Sequence, residues 1–182
     1  MNIFWHVLRM YVPASVKKKK LEELCTLTAD AFQCSAPEIS GLAYREALTR
    51  YASFTRDKTI KAIESGEDVA ALKNRLYRNA WRLGGNIRED FKIKNLADVM
   101  AVSRILYRIL GIDFRGNRKG EVEIRKCFFS PFYSGQICRI ISSLDEGMLA
   151  GLSDGGRLSF EQRITEGKDC CRALLSLEEN PE

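Results

Sequence analysis

The sequence has a single histidine, His6, in an apolar run near its start. One histidine argues against a Ser-His-Asp or Cys-His catalytic arrangement in the body of the chain. It also excludes histidine-rich metal sites within one chain. No apolar run reaches the roughly 20 residues that a membrane-spanning helix needs. The run from Ile3 to Tyr11 is too short to span, and it lacks the charged start and small-residue cleavage site of a secretory signal. These absences predict a cytoplasmic protein in a reducing compartment, where disulfides are rare. No cysteine pair has the short spacing of common structural zinc sites. No internal repeat or low-complexity linker divides the 182 residues, a length that suits one compact unit.

An overall basic charge is also lacking once the lysines are located. The formal net charge is +5, but Arg9 and Lys17 to Lys20 supply it, with no acid among residues 1–20. The other 24 Lys and Arg equal the 24 Asp and Glu. A nucleic-acid binder carries its basic face across the fold, so no nucleic-acid partner is expected. Tyr44, Tyr51, Phe54, Tyr77, Trp81 and Tyr107 interleave with arginines. Core packing with snorkelling arginine stems explains this better than base stacking. Residues 1–20 read most simply as an apolar segment followed by a solvated helix start. The sharper alternative is contact with an anionic membrane surface or a partner chain, or exchange within a homodimer.

Hydrophobic spacing predicts an α+β fold. A helical N-terminal half packs on a small antiparallel sheet in strand-strand-helix-strand-strand order. Leu21, Leu24, Leu27 and Ala31 lie at helical spacing over residues 15–32. Ser40 is a candidate cap for a helix to about Ser65, and Asp68 starts another. Gly84-Gly85 would kink that helix or mark a close helix crossing. Asn95 caps a last helix to about Leu110. After Gly111 the period changes to two. Strands are expected over Ile112 to Arg115, Glu121 to Phe128, Arg157 to Thr165 and Cys170 to Leu177. A helix is expected over residues 134–150. The natural division is a helical subdomain, 1–110, and an α+β ligand-binding subdomain, 111–182, within one compact unit.

Chemistry concentrates between Cys127 and Cys171, where four of the six cysteines lie beside a glycine-dense segment, Gly147 to Gly156. Cys25 and Cys34 read as packed thiols. Strand alternation puts Cys127 and Cys170 on a polar face with Glu161, Arg163 and Thr165, and Cys171 on the apolar one, if the strands pair without bulges. Cys138, Ser142 and Asp145 share one helical face at i, i+4 and i+7. The candidate catalytic residues are therefore Cys127, Asp145 and Cys170. The candidate substrate-binding residues are Cys138, Glu161, Arg163, Thr165 and Cys171. Cys127 or Cys170 would act as nucleophile or ligand-contacting thiol. Asp145 or Glu161 would move protons, and Arg163 would hold a substrate carboxylate. No cofactor is expected, with bound zinc as the alternative.

Several strings in this region resemble the L-2-amino-thiazoline-4-carboxylic acid hydrolase-like family. They are Cys127-Phe128-Phe129-Ser130, Cys138, Ser143-Leu144-Asp145, Gly151-Leu152, and Thr165-Glu166-Gly167 followed by Cys170-Cys171. The resemblance covers about residues 40–177. It implies hydrolytic opening of a cyclic thiazoline or amidine. The strand and helix order with its Gly-then-Cys turn also resembles the 4-vinyl reductase domain, whose fold is related to sensor domains of phenol-responsive regulators. That resemblance implies a pocket for a small, often hydrophobic ligand between sheet and helices, without catalysis. Its sensor relatives bind zinc through Glu-x2-Cys-x7-Cys. The matching positions before Cys170 and Cys171 hold Gln162 or Arg163 and Ser159 or Phe160, so that ligand set is missing.

Overall fold

The computed structural model describes residues 12–177. The apolar run of residues 1–11, with His6 and most of the suggested surface contact, lies outside the described residues.

Helix α1 (Ala14–Ala31) begins after Pro13 and buries Leu21, Cys25, Thr28 and Ala29 along one stripe. The next helix, α2 (Tyr44–Glu64), starts later than Ser40. The Ser40 N–H is taken by Glu38 Oε1 at 2.8 Å, and the Glu46 carboxylate accepts from the Ala43 N–H at 3.0 Å. An acid three residues into the helix thus replaces the expected serine cap. Asp68 caps α3 (Val69–Phe91) as expected, its Oδ1 accepting from Ala70 N at 2.8 Å. Asn95 likewise caps α4 (Leu96–Ile109), accepting from Asp98 N at 3.0 Å. Among the described residues, no helix is long and apolar enough to cross a membrane.

Four strands follow the helices: β1 (Phe114–Gly116), β2 (Glu121–Ile124), β3 (Arg157–Gln162) and β4 (Cys171–Ser176). They pair antiparallel in the order β1-β2-β4-β3. The fold is α+β with the predicted element order. On β4, Cys171, Ala173 and Leu175 face the core while Arg172, Leu174 and Ser176 are exposed. The core they join also holds Leu21, Tyr51, Ile87, Val99 and Tyr107, so one apolar interior runs from the helices to the sheet.

Three departures from the expected elements shape the site. The second strand ends at Ile124, so Cys127 leaves the sheet in the following loop. The strand from Arg157 stops at Gln162, and its register slips between Phe160 and Gln162. Glu161 is the extra residue of this bulge. The expected helix over 134–150 is two helices, α5 (Gly135–Ile141) and α6 (Ser143–Ser153), joined at Ser142. The Ser142 hydroxyl donates back to Arg139 O and accepts from Arg163, a local competition that bends a helix.

Of the two roles open to Gly84-Gly85, the structure takes the close crossing. Helix α3 runs through both residues and packs against α6. A Cβ on Gly147 would stand 2.1 Å from Tyr77 O, and one on Gly151 would stand 2.2 Å from Trp81 O. From the other side, a Cβ on Gly84 would meet Met148 O at 2.4 Å. The glycine-dense segment is thus largely a packing device. It draws α6, which carries Asp145, down onto the helical half.

Candidate functional site

Helices α1 to α4, the loop after β2, the α5–α6 bend and the start of β4 line a cavity of about 130 Å³. Leu24, Leu106, Leu110, Ile141, Leu144 and Met148 make most of its wall apolar. This is close to the size of an engineered apolar cavity that holds one benzene ring. Phe129 helps close it, stacked on Tyr133 at 5.7 Å and edge-on to Tyr51 at 6.0 Å. The outer ends of these rings are tied down, because the Tyr133 hydroxyl bonds Thr55 and the Tyr51 hydroxyl bonds Thr28. The wall is thereby rigid where it is aromatic.

Polar groups on the cavity are few. Asp145 on α6 accepts a hydrogen bond from the Tyr107 hydroxyl at 2.8 Å. The Tyr107 ring is stacked on Phe114 at 4.7 Å, which sets the direction of that hydroxyl. Burial pushes the Asp145 carboxyl from 3.8 up to about 6, with the Tyr107 bond holding back part of the rise. Asp145 keeps some exposure because it opens to the cavity. Its carboxyl therefore exchanges a proton close to neutrality.

Cys127, Cys138 and Cys171 face the same cavity. Burial pushes Cys127 up to about 12 and also raises Cys138 and Cys171. The Thr165 hydroxyl and the Arg163 charge offset part of the rise at Cys138, although Thr165 Oγ1 makes no hydrogen bond of normal geometry. The Ile164 N–H donates to Cys171 Sγ at 3.4 Å. All three are thiols rather than thiolates near neutral pH, which makes them poor nucleophiles. Among the described residues, no three His, Cys, Asp or Glu side chains converge on a metal position.

The predicted site residues therefore divide. Cys127, Cys138, Asp145, Thr165 and Cys171 meet at the cavity, and so does Ser142. Cys127 joins Cys171 rather than Cys170, because the early end of β2 frees it from strand alternation. Cys170 lies outside the cavity, where the Gln162 amide donates to its carbonyl at 3.0 Å and to its Sγ at 3.4 Å. Glu161 is exposed at the bulge. Arg163, expected on the polar face of a strand, is turned inward past the bulge and is 8% exposed. Its guanidinium stacks on Phe160 at 3.9 Å and its Nη2 donates to Ser142 Oγ at 3.1 Å.

Sequence reasoning did not single out Tyr107, Tyr133 or Met148 for the site. Their signal is weak because aromatic and Met residues on buried helical faces are ordinary core residues. Only the partner across the cavity gives the Tyr107 hydroxyl its meaning.

No family model matches the chain, and no curated protein matches it. Among solved structures it is similar to an H-NOX protein from S. oneidensis in the Fe(II)NO ligation state. The identity is 11%, over 92% of this chain and 100% of that one, with a TM-score of 0.43. It is also similar to a mutant H-NOX domain from Shewanella oneidensis in the Fe(II)CO ligation state. There the identity is 13%, over 90% of this chain and 98% of that one, with a TM-score of 0.42. Likeness at this level carries no argument about ligand or reaction.

Proposed function

We propose that the chain is a small-molecule binding or sensing module, with its ligand seated in the cavity between the helices and the sheet. The observation that carries this reading is the cavity itself. It is largely apolar and ring-sized, with a small number of converging polar groups, which is the usual composition of a small-ligand site. The resemblance to the 4-vinyl reductase domain implies a pocket in the same place and supports the same reading.

The thiazoline-family resemblance implies a hydrolase instead. That chemistry asks for a thiolate or a thiol beside a base. Burial keeps the Cys127, Cys138 and Cys171 thiols protonated. The Asp145 carboxylate makes its hydrogen bond to Tyr107 rather than to a thiol. Binding without turnover is the simpler use of these groups.

Native mass spectrometry of the purified protein, paired with a turnover assay on 2-amino-thiazoline-4-carboxylate, tests the choice. The expected result is a small-molecule mass that leaves on denaturation, with no ring opening. Ring opening that disappears in Cys127→Ser would overturn the reading in favour of the hydrolase.

A further inference from the structure

Given a ligand in that cavity, on which this step depends, we propose that its head group is a cation, most simply a primary ammonium, held by Asp145. Among the described residues, Asp145 is the one charged side chain in the cavity wall. Its Oδ1 accepts from the Tyr107 hydroxyl at 2.8 Å. Its Oδ2 accepts no hydrogen bond from the described residues. Oδ2 is not sealed inside the protein as the orphaned Ser103 and Ser143 hydroxyls are, and Asp145 keeps part of its surface accessible. Among the described residues no Lys, Arg or His forms an ion pair with it, although seven such pairs occur elsewhere. Arg163 acts on it only through its charge, because its hydrogen bond goes to Ser142 and its stacking to Phe160. A carboxylate that faces an apolar wall without a counter-ion is costly, and an ammonium would supply one.

The hydroxyls of the wall give a second, independent sign. That of Tyr51 is bonded to Thr28 and that of Tyr133 to Thr55. Ser130 Oγ donates to Cys127 O at 2.9 Å, and Ser142 Oγ donates to Arg139 O at 3.4 Å. Thr165 Oγ1 is buried out of reach. The donors that an anionic head group would need are thus engaged or inaccessible, while one carboxylate oxygen is free to accept. The rings of Tyr51, Tyr107, Phe129 and Tyr133 line the cavity with Asp145. Aromatic rings attract cations, so this wall favours an ammonium over an anion. Cys127, Cys138 and Cys171 are protonated and add no competing charge. An incoming ammonium would donate to Oδ2 in a charge-assisted bond. The remaining wall, with Leu106, Leu110, Ile141, Leu144 and Met148, suits an apolar body of one ring or a short branched chain. The ligand class is therefore a small apolar amine in its protonated form.

Benzylamine, benzyl alcohol and benzene separate the parts of this proposal, with the ¹³C-methyl resonance of Met148 as the readout in the full chain. The titration is run at about pH 8, where Asp145, titrating at about 6, is ionised and benzylamine is protonated. The expected result is that benzylamine binds about tenfold tighter than benzyl alcohol, which has nearly the same shape and no charge. Asp145→Asn should abolish that preference and leave benzene unchanged. Should Asp145→Asn fail to fold, the comparison of the two probes on the wild-type protein decides. Equal affinities for benzylamine and benzyl alcohol, or exclusion of benzylamine where benzene binds, would overturn the ammonium head group and leave the cavity reading intact. So would a preference for benzylamine that survives Asp145→Asn. Failure of all three probes to bind would overturn the binding reading itself.

Discussion

Gly147→Ala should lower the free energy of unfolding by about 3 kcal/mol, the upper part of the range for overpacking a tight interior. The added Cβ meets the carbonyl oxygen of Tyr77 at 2.1 Å and its carbon at 2.9 Å. Both are backbone atoms of α3, so relief requires the two helices to part. Gly85→Ala is the matched control. It lies in the same helix pair, one residue from Gly84, and a Cβ there meets nothing within 4 Å. Alanine is the better helix former, so Gly85→Ala should raise stability by about 0.5–1 kcal/mol. Urea denaturation of both variants measures the difference. Stabilisation by both would mean that α3 and α6 are not in backbone contact, and the position given to Asp145 would fall with it.

The second large effect is expected at Asp145. Its carboxyl titrates at about 6 in the folded protein against 3.8 ordinarily. The folded state prefers the protonated form, so this group's stabilisation is complete below pH 3.8 and is lost as the pH rises through about 6. The full difference corresponds to on the order of 3 kcal/mol. Asp145→Asn cannot ionise, but it keeps an oxygen for the Tyr107 hydroxyl. Relative to wild type, the variant should therefore gain stability between about pH 4 and pH 7, by on the order of 2 kcal/mol. Other carboxylates titrate in the same window, and the difference between the two proteins cancels them. A difference that stays flat across the window would mean that Asp145 is solvated and the cavity is open.

Much of this arrangement was visible in local sequence signals. Asp68 and Asn95 cap their helices because a short acceptor side chain followed by a periodic apolar stripe has few other uses. The shared face of Cys138, Ser142 and Asp145 survives the bend at Ser142, since one bent residue leaves the following turn on the same side. What escaped were features set by pairing between distant segments. The bulge at Glu161 depends on how β3 meets β4, and that one extra residue turns Arg163 from a strand's polar face into the interior. Cys127 was assigned by alternation in a strand that ends before reaching it. Gly147 and Gly151 lay inside a stretch that looked chemical. Their role emerges only when the Tyr77 and Trp81 carbonyls of another helix are placed against them.

The most direct measurement is a benzene titration followed at the ¹³C-methyl groups of Met148 and Met100. Met148 lines the cavity, whereas Met100 is buried beside Gly116 in the core and does not line it. A ligand-binding cavity predicts a saturable shift of the Met148 methyl, a stationary Met100 methyl, and loss of the response when Cys138→Phe fills the space. A Met148 methyl that does not move in the folded protein, or one that moves together with Met100 without saturating, would contradict it.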